Sequence, residues 1–72
     1  MYVFDQRLKA LRKEKGVTQK QLAEAIGITE RGLQGYEIKD RKPGYDALIA
    51  LADYFDVSLD YLVGRSDDPR RL

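Results

Sequence analysis

The chain has 72 residues, of which 43% are hydrophobic and 35% charged, so its apolar content suffices for one compact core. It lacks cysteine and histidine, which excludes disulfides and thiolate metal sites and removes the commonest metal ligand and general base. The formal net charge is +1, but residues 1–42 hold 10 basic and 6 acidic residues, a net +4, whereas residues 43–72 hold 3 and 6, a net −3.

The first predicted helix covers residues 4–15. Phe4, Leu8 and Leu11 recur at spacings of four and three, which places them on one apolar face. Gly16 follows directly, where a left-handed residue commonly ends a helix.

A second helix is predicted to begin after Thr18. The Thr18 hydroxyl can accept from a free amide of the first turn, and Gln21, three residues later, completes a capping box. Gly27 lies where this helix would end, and glycine adopts the left-handed conformation of a tight turn without a steric penalty.

A third helix is predicted from Thr29, its cap, to Glu37, with Leu33 and Tyr36 on its buried face. The opposite face would carry Glu30, Arg31, Gln34 and Gly35. Two short helices joined by a tight turn form a helix-turn-helix, whose second helix can lie in the DNA major groove.

Two more helices are predicted over residues 45–55 and 59–63. Asp56 would adopt the left-handed conformation between them, which Asp tolerates better than most residues. Ser58 would cap the last helix and Gly64 would end it.

The prediction for the whole chain is therefore an all-α, compact five-helix domain over residues 1–64. Residues 65–72 hold Ser, Asp, Pro and Arg with little apolar content, and we predict a flexible C-terminal tail.

The pattern is carried by Thr18, Gln19, Leu22, Ala23, Gly27, Leu33, Tyr36 and Glu37, and downstream by Lys42, Pro43, Leu48, Leu51, Ala52 and residues 57–62. Over about residues 4–64 the chain resembles the Cro/repressor-type helix-turn-helix domains of phage repressors and bacterial xenobiotic-response-element-like regulators. The resemblance implies the phage-repressor fold and sequence-specific binding of double-stranded DNA by a transcriptional regulator, with repression the expected effect. It also implies a salt bridge between Arg12 and Glu37.

Four side chains of the predicted recognition helix are candidates for contacts with bases. Arg31 can reach O6 and N7 of guanine, and Gln34 can pair with N6 and N7 of adenine. Thr29 can contact phosphate or a thymine methyl group while it caps the helix. Glu30 can accept from cytosine N4, although a first-turn Glu also simply stabilises a helix.

Gly32 and Gly35 stand where larger polar residues are usual in the family. Each costs about 1 kcal/mol of helix propensity relative to alanine. Two interpretations stay open: a close approach of the backbone to DNA, which would make Gly35 a base contact, or a helix that becomes ordered only when bound.

Phosphate contacts are expected at both ends of the motif. Gln19 begins the second helix, where free amides favour an anion; in the family the Gln here binds a phosphate and often braces a recognition-helix side chain. Lys20 lies beside it, and Lys39, Arg41 and Lys42 follow the recognition helix, where the alternative is a solvated basic loop.

Tight binding by a single module is uncommon because it buries only about 600–1,000 Å² of protein surface on DNA. We therefore expect a homodimer on a palindromic operator. Leu59, Leu62, Val63, Tyr2 and Phe4 are candidate interface residues, with an ordinary core position the favoured interpretation for Leu59 and Leu62.

The alternative function is a protein-interaction module on the same fold, antitoxin-like or anti-repressor, with Tyr2, Tyr45, Tyr54 and Tyr61 at the interface. An enzyme is disfavoured because the chain lacks catalytic His and Cys and any nucleotide-binding glycine motif. We predict no cofactor, metal or small-molecule ligand.

The chain has no apolar run near the roughly 20 residues of a membrane span and no signal peptide, so we predict a soluble cytoplasmic protein.

Overall fold

Five α-helices, and no β-strand, make up the part of the chain from residue 3 to residue 71 that the computed structural model describes. They are α1 (Phe4–Lys15), α2 (Gln19–Ile26), α3 (Glu30–Glu37), α4 (Tyr45–Phe55) and α5 (Leu59–Val63). The predicted all-α architecture is confirmed. Tyr2, a candidate interface residue, lies outside the described residues.

Every helix contributes a fully buried side chain to a single core. The largest of these are Phe4, Leu8, Leu22, Leu33, Leu51 and Leu62. Helix α3 packs against α1 and α2, and α5 packs against α1 and α4. Tyr36 adds an edge-to-face contact with Phe4, with ring centroids 6.1 Å apart, so α3 is held from behind by apolar and aromatic packing.

Three helices begin at the predicted caps. The Gln21 amide donates to the Thr18 hydroxyl at 3.0 Å, and the Thr18 amide donates to the Gln21 side chain at 2.9 Å, which completes the capping box. Thr29 caps α3, and Ser58 caps α5, each through a 3.0 Å bond. These bonds satisfy amides that have no partner within their helix.

The chain reverses at left-handed residues, as predicted. Gly27, between α2 and α3, has a φ of +78°, and Asp56, between α4 and α5, has a φ of +55°. Asp56 carries a Cβ in this conformation, which costs about 1–2 kcal/mol.

Replacing Asp56 with glycine should therefore raise the melting temperature by a few degrees. The relief of backbone strain exceeds both the extra chain entropy of glycine and the loss of an exposed 3.6 Å ion pair with Arg71, for a net gain of about 0.5–1 kcal/mol. The matched control is Gly27→Ala, which should lower the melting temperature because it introduces the same strain. A lower melting temperature for Asp56→Gly, measured by circular dichroism, would show that the left-handed backbone at Asp56 is not strained.

Residues 65–71 lie against the bundle. The Ser58 amide donates to the carbonyl of Pro69 at 3.0 Å, and the Arg71 guanidinium donates to Asp53 at 2.7 Å. These contacts count against a detached tail, although the flexibility predicted for this segment stays a prediction.

Two apolar side chains lie outside the core. Leu59, favoured as a core residue, is instead 41% exposed, because α5 has only five residues and its inward position is filled by Leu62. Tyr45, the first residue of α4, is 74% exposed. None of the helices described is long and apolar enough to cross a membrane.

Candidate nucleic-acid interface

The outward face of α3 is polar and open. Arg31 and Gln34 are exposed, whereas Leu33, which lies between them in sequence, is fully buried. Within residues 3–71 the Arg31 guanidinium has neither an ion pair nor a hydrogen bond to the protein. All five of its N–H donors are therefore available to a ligand.

The first turn of α3 carries the other two predicted base contacts. The exposed Thr29 accepts from the Gly32 amide at 3.0 Å, which leaves its own hydroxyl hydrogen free to donate outward. Glu30 is exposed in the same turn, where its charge stabilises the positive end of the helix dipole. Their contacts with DNA stay predictions.

A buried ion pair anchors the far end of α3. Nε of Arg12 lies 2.6 Å from Oε2 of Glu37, and Nη2 lies 3.1 Å from Oε1, so the pair is bidentate. The side chain of Glu37 is only 2% exposed and that of Arg12 13%. This is the salt bridge that the family resemblance implies, and it fixes α3 to α1.

Two further bonds extend the ion pair into a network. Gln19, the first residue of α2, donates its side-chain amide to Oε1 of Glu37 at 3.0 Å. Arg12 also donates to the carbonyl of Val17 at 3.0 Å. One carboxylate thus orients the start of α2 and the end of α3 together.

The Gln19 side chain is oriented by this network rather than free in solvent. Its amide has a second N–H, and it lies at the N-terminus of α2, where unpaired backbone amides favour an anion. The bracing of Glu37 agrees with the role that the resemblance implies, and the phosphate contact stays a prediction.

Exposed cations both precede and follow α3 in the chain. Lys20 is exposed on α2, and Lys39, Arg41 and Lys42 are exposed in the loop after α3. Lys39 has a left-handed backbone with a φ of +64°, which turns the loop back on the helix.

Gly35 was predicted to be exposed on the outward face of α3, and that exposure was wrong. Gly35 is buried, and a Cβ built there would lie 3.0 Å from Cδ and 3.1 Å from Cγ of Arg41. A side chain from the following loop thus covers the helix where its own side chain is missing, while α3 continues as a regular helix through both glycines.

One exposed apolar residue beside this surface was missed in the sequence. Ile38, the residue after α3, is 71% exposed and precedes the cationic loop. It follows the last turn of the helix, so no apolar periodicity distinguishes it.

A family model described as helix-turn-helix matches residues 8–62. The chain belongs to this helix-turn-helix family. It is 48% identical over 67 residues to the HTH-type transcriptional regulator YobD of Bacillus subtilis, a match that covers 93% of this chain and 60% of YobD.

Two solved structures share the fold of this helix-turn-helix domain. A transcriptional regulator from Listeria innocua superposes with a TM-score of 0.85 at 38% identity, over 89% of this chain and 60% of the other. The P22 c2 repressor, solved in complex with a synthetic operator, superposes with a TM-score of 0.84 at 24% identity, over 92% and 100%. The family model and YobD confirm the predicted family, and the two solved structures confirm the predicted fold. The chain spans about 60% of the length of YobD and of a second relative, the HTH-type transcriptional regulator YqaE of Bacillus subtilis.

Proposed function

We propose that this helix-turn-helix domain binds double-stranded DNA sequence-specifically as part of a transcriptional repressor, with α3 in the major groove. The observation that carries the proposal is Arg31, which has no ion-pair partner within residues 3–71, beside Gln34 on an open face of a helix that the Arg12–Glu37 pair anchors from behind. A rigid helix with free bidentate donors is what recognition of base edges requires. The transcriptional regulators among its relatives support the assignment.

In this proposal the base contacts come from α3 and the phosphate contacts from its flanks. Arg31 pairs with guanine and Gln34 with adenine, while Thr29 contacts a phosphate or a thymine methyl group. Phosphates are bound by residues on both sides of α3, namely Gln19, Lys20, Lys39, Arg41 and Lys42. Phosphate contacts place the domain, and base contacts select the sequence.

The functional unit is proposed to be a homodimer on a palindromic operator. One module of this size buries too little surface for tight specific binding. A dimer that binds two half-sites one helical turn apart buries that surface twice. The partly exposed Leu59 on α5 supplies apolar surface for the contact between copies. The role is non-enzymatic, and a bacterial operator would place the protein in the cytoplasm.

Two of the tyrosines assigned to the alternative, protein-interaction function are half-buried and make contacts within the domain. Tyr61 lies under the guanidinium of Arg7, 4.1 Å from its ring centroid, and Tyr54 packs edge-to-face on Phe55. Of the tyrosines within residues 3–71 that were assigned to such an interface, Tyr45 is the exposed one.

Selection from a random duplex library tests the proposal directly. The expected result is enrichment of one sequence with two-fold symmetry, because a dimer presents α3 twice. An asymmetric enriched site would contradict the dimer, and recovery of no sequence above background would contradict specific DNA binding.

The salt dependence of binding to the selected site should be steep. Each phosphate contact contributes about 0.9 to the slope of log affinity against log salt, so Lys20→Ala and Lys42→Ala should each reduce the slope by about that amount per contact. Arg65→Ala is the matched control, since it removes an exposed charge from the segment after α5, a helix that packs against α1 and α4. An affinity that does not change with salt concentration would favour a protein-interaction module instead.

A further inference from the structure

Gly35 and Arg41 are packed against each other in a way that neither residue's predicted role explains. The aliphatic part of the Arg41 side chain crosses α3 at Gly35, with Cβ, Cγ and Cδ all within 3.5 Å of the point where a Cβ of residue 35 would lie. The amides of Asp40 and Arg41 both donate to the Gly35 carbonyl, at 2.9 and 3.1 Å. Backbone and side chain together thus fix the loop to this one turn of the helix.

The missing side chain at Gly35 creates the space that Arg41 occupies. A Cβ at 3.0 Å is closer than ordinary van der Waals contact, so a side chain at position 35 would require the Arg41 side chain to shift by a few tenths of an ångström. Position 35 is one turn beyond Arg31, and residues four apart share a helix face. Arg41 is therefore directed along the face that carries Arg31.

The guanidinium of Arg41 is left available by this packing. Arg41 is exposed, and no acidic residue within the described range pairs with it. A long side chain whose stem is already packed loses less rotamer freedom when its head binds a ligand.

We infer that Gly35 is a positioning residue for Arg41, and that the pair sets where the protein binds one DNA phosphate relative to the bases contacted by Arg31 and Gln34. The inference rests on the proposed function and replaces the direct DNA contact predicted for Gly35. Arg41 lies by the last turn of α3, whereas base edges are contacted chiefly from the first turns of a recognition helix, so phosphate is its partner.

A double-mutant cycle on the selected duplex tests this pairing. Arg41→Ala should weaken binding about five-fold at 0.15 M salt and reduce the salt slope by about 0.9, as expected for one phosphate contact. Gly35→Ala should weaken binding by about two- to five-fold, because it displaces the Arg41 stem. The double variant should match Arg41→Ala alone, since the two residues act as one unit.

Three results would overturn the inference. They are unchanged affinity in Gly35→Ala, losses that multiply in the double variant, and a changed base preference at one position in Arg41→Ala. Arg65→Ala serves again as the charge-matched control. If the wild-type chain binds no duplex, both the proposed function and the phosphate contact are overturned. If the wild-type chain binds and the Gly35→Ala variant binds with the same affinity, only this inference is overturned.

Thermal melting supplies a readout that needs no DNA. Alanine is the better helix former, so Gly35→Ala should not lower the melting temperature, and lost binding then cannot be ascribed to unfolding. The gain in melting temperature should be larger in the Arg41→Ala background, where no side chain has to move. Equal gains in both backgrounds would show that the two side chains do not compete for the same space.

Discussion

Replacing Arg12 with alanine should destabilise the domain by about 3–5 kcal/mol, the usual cost of leaving a buried charge without its partner. The Glu37 side chain is 2% exposed, so solvent cannot replace the guanidinium that it loses. Domains of this size have total stabilities of only about 5–15 kcal/mol, and the melting temperature should fall by more than about 10 °C.

Urea and thermal unfolding followed by circular dichroism measure this loss. Arg70→Ala is the matched control, because the Arg70–Asp68 pair has the same 2.6 Å separation but exposed side chains, and should cost less than about 1 kcal/mol. A similar cost for both substitutions would show that Glu37 is hydrated when Arg12 is removed.

A double substitution tests separately whether this ion pair stabilises the domain and whether it orients α3. Replacing both partners, as Arg12→Met with Glu37→Leu, removes the buried charges together and often leaves stability nearly unchanged. It also removes the bond from Gln19, which ties the start of α2 to the end of α3. Normal stability with weakened DNA binding would indicate that the network orients α3, whereas normal binding would leave the pair a purely structural contact.

The sequence predicts best those features whose causes are local. The hydroxyl caps at Thr18, Thr29 and Ser58 each bond an amide three residues away. The left-handed residues at Gly27 and Asp56 follow from the helix ends beside them. Such features depend on a few neighbouring residues, so residue type and spacing determine them.

Features that depend on distant contacts could not be derived from periodicity. The Arg12–Glu37 pair joins positions 25 residues apart, and only the family resemblance implied it. Gly35 is buried because the Arg41 side chain covers it, and this contact depends on the path of the loop, so helical spacing alone could not predict it. The contacts of the C-terminal segment also depend on distant residues, because the Ser58 amide meets the Pro69 carbonyl only where the segment after α5 runs back past the start of that helix.

Arg31→Ala should weaken binding to the selected site by about 5- to 150-fold, which corresponds to the roughly 1–3 kcal/mol of a bidentate guanine contact. It should also relax the sequence preference at one base pair of each half-site and leave the others unchanged. The reason is that Arg31, exposed and unpaired in α3, has its fork of donors free to match O6 and N7. Repeating the duplex selection with the variant measures both effects at once.

Two companion variants distinguish a base contact from a phosphate contact. Arg31→Lys keeps the charge but loses the planar fork, so it should leave the salt slope unchanged without restoring the preference for guanine. Gln34→Ala should relax a different base pair, because Gln34 lies one turn further along the exposed face. Uniform weakening over all sequences in Arg31→Ala, with a slope lower by about 0.9, would instead place Arg31 on the DNA backbone. Sequence preference would then depend on Gln34 and the first turn of α3, and the proposed mode of recognition would have to be abandoned.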